Sequence, residues 1–289
     1  MQIRIGVSGW TYKNWHDSFY PGGLPKRREL EYASRRFNSV EVNGSFYSLI
    51  SPKTWRRYRD VTPPDFVFAV KGSRFITHSK MLKEVDGPLA NFFASGVLEL
   101  KEKLGPILWQ FSARSIPMER FERFLQVLPR DTGEASKLAE NHDDRVKRAS
   151  WEIDRPRRIR YALEIRDPDL LDPDFARLAR KNGVALVFSD SGQWPYTEEL
   201  TAGYVYLRLH GSPETYASRY SDSDLDRWAG RIRKWVKGGE PPEPRRITDR
   251  KPPRRKTRDA YIYFDNDSRG HAPHDARRLM ERLSIAAGG

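Results

Sequence analysis

Eight short apolar runs recur along the chain, and each stops on a polar or charged residue or just short of one. They are Ile3 to Gly9, Ser39 to Asn43, Phe66 to Lys71, Ile107 to Phe111, Ile159 to Arg166, Val184 to Asp190, Tyr204 to His210 and Ala260 to Asn266. Helix-patterned segments separate most of them. Runs of this length, alternating with helical patterns, predict βα units and a parallel sheet. Eight such units predict an α/β chain folded as a single (β/α)8 barrel over 1–289, with its chemistry where the strands end.

Within three runs the alternation is strict, and residues two apart in a strand share a face. Glu41 then faces the same way as Asn43, Glu164 as Arg166, and Arg208 as His210, while the intervening Val40, Val42, Leu163, Ile165, Val205, Leu207 and Leu209 form the apolar face toward a ring of helices. The polar pairs are therefore expected to point into the barrel mouth. Several buried charges in one place are costly unless they pair or bind something.

Helix signals fill the intervals. Helix one is expected over Arg28 to Phe37, and Ser51-Pro52 supplies an N-cap and a first-turn proline for a helix through Trp55. Further helices are expected from Pro88 to Lys103, after Pro117, between Asp172-Pro173 and Gly183, from Asp224 to Lys237 and from Pro273 to Ile285. Between strands six and seven the connection is short, so helix six is expected to be vestigial. Two charged stretches, about 130–157 and 238–258, do not fit the repeat and read as surface insertions. The first has the composition of a surface helix. The second, with Pro241-Pro242, Pro244 and Pro252-Pro253, reads as an extended or disordered linker that the core does not need.

The net charge of +13 changes the picture less than its size suggests. Lys237 to Asp259 carries nine Lys and Arg against four acids, and Arg130 to Arg160 nine against seven, so these two stretches hold +7 of the excess. A nonspecific nucleic-acid contact through 245–258 follows as an expectation, as does plain solvation of that charge. No cysteine is present, which excludes disulfides, thiolate nucleophiles and Cys-ligated metals. No run approaches a membrane span and no signal-peptide pattern precedes the first strand, so a cytoplasmic protein without membrane contact is expected.

Gly6-Val7-Ser8-Gly9-Trp10, Tyr20-Pro21, Ser39-Val40-Glu41-Val42-Asn43 with Phe46-Tyr47, Pro52 to Trp55, and Tyr206-Leu207-Arg208-Leu209-His210-Gly211 together resemble the YecE-like family, catalogued as domain of unknown function seventy-two. The resemblance implies a TIM barrel and leaves the reaction open. The chain departs from the family pattern after Glu164-Ile165-Arg166, where Asp167 stands in place of an expected histidine and Leu170 near an expected aromatic residue.

Three chemistries suit these residues. Glu41 and Glu164, on different strands, are the parts of a carbohydrate-active hydrolase, with Trp10, Trp15 and Trp194 on loops to stack on sugars. Alternatively, Lys71, Arg166 and Arg208 favour an anionic substrate such as a phosphate ester or a nucleic-acid end. His210 would then be the general acid or base, because the ordinary imidazole titrates near neutrality, with Asp190 orienting it and Asn43, Gln110, Asn266 and Trp10 completing the pocket. A divalent metal would have to be held by Glu41, Glu164, Asp190 and His210, although no His-x-His or His-Glu-x-x-His spacing occurs. The third reading is a non-catalytic nucleic-acid-binding protein. Of these, a hydrolase acting on an anion is the expectation carried forward.

Overall fold

A computed structural model describes residues 1–287. The eight strands are β1 (Ile3–Val7), β2 (Ser39–Val42), β3 (Val67–Lys71), β4 (Leu104–Gln110), β5 (Tyr161–Glu164), β6 (Ala185–Ser191), β7 (Tyr204–Gly211) and β8 (Asp259–Phe264). All neighbours pair in parallel in the order β1-β8-β7-β6-β5-β4-β3-β2, so the expected α/β barrel is present, nearly closed.

Closure between β1 and β2 depends on side chains. The ladder there is reduced to a Ser8–Glu41 bridge, with Gly9 N–H donating to Glu41 O at 2.8 Å. Lower down, the Asn38 carboxamide stands in for a strand, accepting from Ile5 N–H at 2.8 Å and donating to Ile3 O at 2.9 Å. Gly6 is required at this seam, because a Cβ there would lie 1.8 Å from Ser39 O.

Alternation sorts the strands into two packed layers. Outward side chains such as Val40, Trp109, Phe188, Leu207 and Ile262 join the helices in the larger core. Inward ones, among them Ala69, Leu108, Ala162, Val187, Tyr206 and Tyr263, plug the barrel. The plug is hydrogen-bonded where it is polar, as buried hydroxyls require. Ser39 Oγ meets Tyr263 OH at 2.7 Å, and Tyr204 OH donates to Tyr161 O at 2.5 Å.

The helices follow their sequence signals. They are α1 (Glu29–Ser34), α2 (Gly44–Tyr47), α3 (Pro52–Asp60), α4 (Asp86–Ala94), α5 (Met118–Val127), α6 (Thr132–Ala139), α7 (Pro173–Asn182), α8 (Asp222–Val236) and α9 (Ala272–Leu283). Ser51 Oγ caps α3 by accepting from Thr54 N–H, Asp172 Oδ1 caps α7 by accepting from Phe175 N–H at 2.7 Å, and Gly183, at φ +64°, ends α7. Between β6 and β7 no helix forms. The helix expected over Pro88 to Lys103 breaks at Ser95-Gly96 into α4 and a 3-10 turn, because Gly96 sits at φ +99°.

The two charged stretches are tied down. Ala135 and Ala139 of α6 are fully buried, and Val146 and Trp151 join the outer core. The stretch 238–258 is extended, as expected, but it is a fastened strap and not a loose linker. Glu198 N–H donates to Arg245 O, the buried Glu199 carboxylate accepts from Ile247 N–H at 2.8 Å and Thr248 N–H at 2.9 Å, and Arg258 is only 2 % exposed.

Candidate functional site

The inward positions at the strand ends converge on Arg208, which projects from β7 into the barrel axis and is wholly buried. Its guanidinium spends every donor on neighbours. Nε donates to Glu41 Oε2 at 3.2 Å and Nη1 to Glu164 Oε2 at 2.9 Å. Nη2 reaches Glu41 Oε1 at 2.8 Å, Asp265 Oδ2 at 2.9 Å and Ser8 Oγ at 2.9 Å. Three carboxylates thus surround one guanidinium, a geometry in which planar forked donors outperform a point charge.

Further donors complete the cage. Tyr206 OH donates to Glu41 Oε2 at 2.6 Å, Ser8 Oγ to Glu41, Gln110 Nε2 to Glu164, and Ser189 Oγ to Glu164 Oε1 at 3.2 Å. His210 lies beside the cage with Nε2 2.8 Å from Glu164 Oε1. Its Nδ1 is 3.0 Å from Asp265 Oδ2 but is not aligned for a hydrogen bond. Burial alone would raise the pKa of Glu164 and Asp265. Arg208 and His210 outweigh it, holding Glu164 well below the usual carboxylate range and Asp265 at about 2.

Above this floor is a cationic rim. Lys71 Nζ sits 4.3 Å from the Phe46 ring centroid, and burial and Arg208 lower its ammonium to about 8. Arg166 lies over the Trp194 ring at 3.6 Å and donates to Tyr216 OH at 3.2 Å. Trp194 and Tyr216 in turn pack edge-on against His210, at 4.9 and 5.6 Å between centroids. His78, hydrogen-bonded to Thr77 Oγ1 through Nδ1, is lowered to about 4 by burial and then by Arg166, Lys71, Arg74 and Arg114. It is therefore uncharged at neutral pH among four cations.

Of the residues singled out in the sequence, Glu41, Asn43, Lys71, Gln110, Glu164, Arg166, Arg208 and His210 come together here. Asn43 does so through Ser8, to whose Oγ its Nδ2 donates at 3.1 Å. Four placements correct the sequence reading. Asp190 points out of the barrel and accepts from Tyr220 OH at 2.8 Å, because Ser189 holds the inward register of β6. Asn266 likewise faces α9, donating to Asp275 Oδ2 at 2.9 Å. Trp10 is buried edge-on against Tyr58, and Trp15 is buried within the outer core, so neither lines the mouth. Arg208 is saturated by carboxylates and has no donor left for a substrate anion.

Asp265 was missed, although period-two counting from Tyr261 and Tyr263 points to it. Asp267 was missed as well. It is buried, neither of its carboxylate oxygens has a partner, and burial and then Asp265 push it well above the usual range. One carboxylate held low and one pushed high, two residues apart, is an arrangement that separates base from acid.

Glu41, Glu164, Asp265 and His210 are oxygen and nitrogen donors of the kind that hold divalent cations, yet here they enclose a guanidinium. Among the described residues no group of three or more His, Asp or Glu is arranged to bind a metal. The same arrangement weighs against paired glycosidase carboxylates, because a general acid needs a raised pKa and Glu164 is held low.

The chain matches the family model described as "Protein of unknown function DUF72" over residues 4–289. It is 31% identical over 129 residues to UPF0759 protein YecE of Escherichia coli strain K12, covering 44% of each chain. It is 33% identical over 75 residues to UPF0759 protein YunF of Bacillus subtilis strain 168, covering 26% of each. These matches span less than half the length of either curated relative. Among solved structures, a DUF72 family protein from Thermotoga maritima MSB8 superposes with a TM-score of 0.73 at 20% identity, covering 98% of this chain and all of that one. One from Enterococcus faecalis V583 gives 0.66 at 17%, covering 98% and 96%. The likeness extends along the whole barrel, and with the family match it establishes that this chain belongs to the DUF72 family.

Proposed function

We propose that the protein is an enzyme that hydrolyses a small anionic substrate, such as a phosphate ester, at the barrel mouth. The observation that carries this reading is the layering of charge: Lys71 on the Phe46 ring and Arg166 on the Trp194 ring stand over a floor of carboxylates and His210, and their charge, with that of Arg74 and Arg114, helps to hold His78 uncharged. Fixed cations of this kind recognise an anion and stabilise charge that builds on it in a transition state. Asp265, ionised and with part of its side chain exposed, orients the attacking water and takes its proton as general base. Lys71, lowered toward neutrality, is placed to return a proton to the leaving oxygen. Arg208 holds Glu41, Glu164 and Asp265 in position and touches no substrate. No helix among the described residues is long and apolar enough to cross a membrane, and the proposal includes a cytoplasmic location.

The test is a comparison of ligands on the intact protein. Inorganic phosphate or sulfate raises the melting temperature of the wild type, and Arg166→Ala removes most of the rise. Aryl phosphates are turned over while aryl glycosides are not, and Asp265→Asn lowers turnover by at least about 100-fold. Stabilisation by neutral oligosaccharides alone, or turnover of glycosides alone, would sink the reading.

A further inference from the structure

At the end of the barrel opposite the mouth, where the strands begin, the surface holds a cleft of about 530 Å3 between the C-terminal turn of α7, the start of β5 and the strap 238–258. Eight of its sixteen lining residues are Arg or Lys, and none is Asp or Glu. Some of these cations are engaged. Arg160 pairs with Asp259 at 2.8 Å, Arg180 with the buried Glu199, and Arg177 with Asp174 at 2.9 Å in an exposed pair. The guanidinium of Arg258 donates to the carbonyls of Gly239 and Pro253. Arg158, Lys181, Arg250 and Arg255 have no carboxylate within ion-pair distance among the described residues, and all four are exposed.

Like charges are held together there at a cost. Burial and then Arg250 lower the pKa of Arg180, and burial and then Arg255 lower that of Arg258. The strap cannot relax away from this repulsion, because Glu199 fastens it through Ile247 and Thr248. The cleft also continues sideways. Arg158, Lys181 and Gly183 line a second cavity of about 800 Å3, which extends past Arg157, paired with Asp154, to Arg130 and to the Asp131 carboxylate that caps α6.

We propose that this furrow binds the phosphate backbone of a nucleic acid, as a second site separate from the mouth. The furrow is too long for a single phosphate and repeats positive charge along its length. Its cations are nearly all guanidinium groups, which match phosphate oxygens as planar forks. Such a contact neutralises phosphates, positions the strand and carries no sequence information. The strap alone is not the site, since Arg158, Arg177 and Lys181 come from the barrel. With the whole strand length in between, a strand held here is tethered and is not delivered into the catalytic end.

The experiment is fluorescence anisotropy on the full chain with a labelled single-stranded DNA of about twenty nucleotides, repeated with the matching duplex and RNA, over a range of salt. Binding is expected in low salt, with affinity falling steeply as salt rises. The double charge reversal Arg158→Glu with Lys181→Glu, at exposed positions, should weaken binding at least about 10-fold and flatten the salt slope by at least about 1.4 on the single strand and about 1.8 on the duplex, as loss of two phosphate contacts requires. Arg255→Glu should add to this from the strap side, with circular dichroism and melting temperature unchanged for each variant. Arg166→Ala at the mouth should leave nucleic-acid binding unchanged while removing most of the stabilisation by inorganic phosphate, so this proposal and the mouth assignment can fail separately. The inference is overturned by no binding at low salt, by full binding in the folded double variant, by loss in Arg166→Ala alone, or by displacement of the DNA by a poly-glutamate peptide at equal charge concentration.

Discussion

Arg208 shows how one residue organises a site that it does not itself use. Replacing it by Met leaves Glu41, Glu164 and Asp265 buried without their counter-ion, and removing one partner from a buried ionic cluster costs about 3–5 kcal/mol. Chemical denaturation at pH 7 should read that loss. The pH dependence follows from the low carboxylate pKa values. In the wild type, Asp265 at about 2 and the depressed Glu164 contribute stability above pH 4 that is lost as pH falls toward 2. In Arg208→Met, burial without the cation raises these groups, so the variant should recover stability between pH 7 and pH 5, where the wild type stays level. A deficit that is unchanged across that range would mean the cage is held by packing and not by charge.

Whether a site residue was legible depended on strand phase. Glu41, Glu164, Arg208 and His210 were found because apolar neighbours fix their alternation. Asp190 and Asn266 were misassigned because each is the last polar residue of its run, one step out of phase with Ser189 and Asp265. The saturation of Arg208 had no sequence signal at all, since its three carboxylate partners lie 167, 44 and 57 residues away.

Among the elements, the strands were the most legible and the connections the least. All eight runs became strands because their lengths and apolar character suit a parallel sheet packed on both faces, whereas the ends of α4 and the fastening of the strap depend on tertiary partners. Gly6 in β1 has no sequence signal of its own beyond its place in Gly6-Val7-Ser8-Gly9-Trp10, yet the seam requires it. Gly6→Ala would drive a methyl into Ser39 O and force β1 and β2 apart, at a cost of about 3 kcal/mol by urea denaturation. The strap carries a correction in energetic form. A Gly/Ser replacement of 245–258 removes Ile247 and Thr248 from Glu199 and the buried Arg258 from the barrel floor. Hydrogen bonds to a charged group contribute about 1.5–3 kcal/mol each, so the replacement should lower stability by at least about 3 kcal/mol. An unchanged melting temperature would restore the view of this stretch as a dispensable insertion.

At the scale of the whole molecule, charge and closure are both unevenly placed. Cations gather at the two ends of the barrel, as a rim at the mouth and in the furrow beneath, with the carboxylate cage between them. Closure is uneven in the same way: seven of the eight junctions between neighbouring strands are backbone ladders, while the junction between β1 and β2 has a single backbone bridge at Ser8 and Glu41 and, below it, the carboxamide of Asn38. A ladder parts only when many bonds break together, but a side chain can let go by turning about its own bonds. The cylinder therefore has a latch, and that latch lies directly below Ser8 and Glu41, which form one wall of the cage. Mechanical opening of the barrel would start at that lower end of the seam and run up to the single Ser8–Glu41 bridge, so the molecule's weakest line of closure ends at the wall of its polar centre.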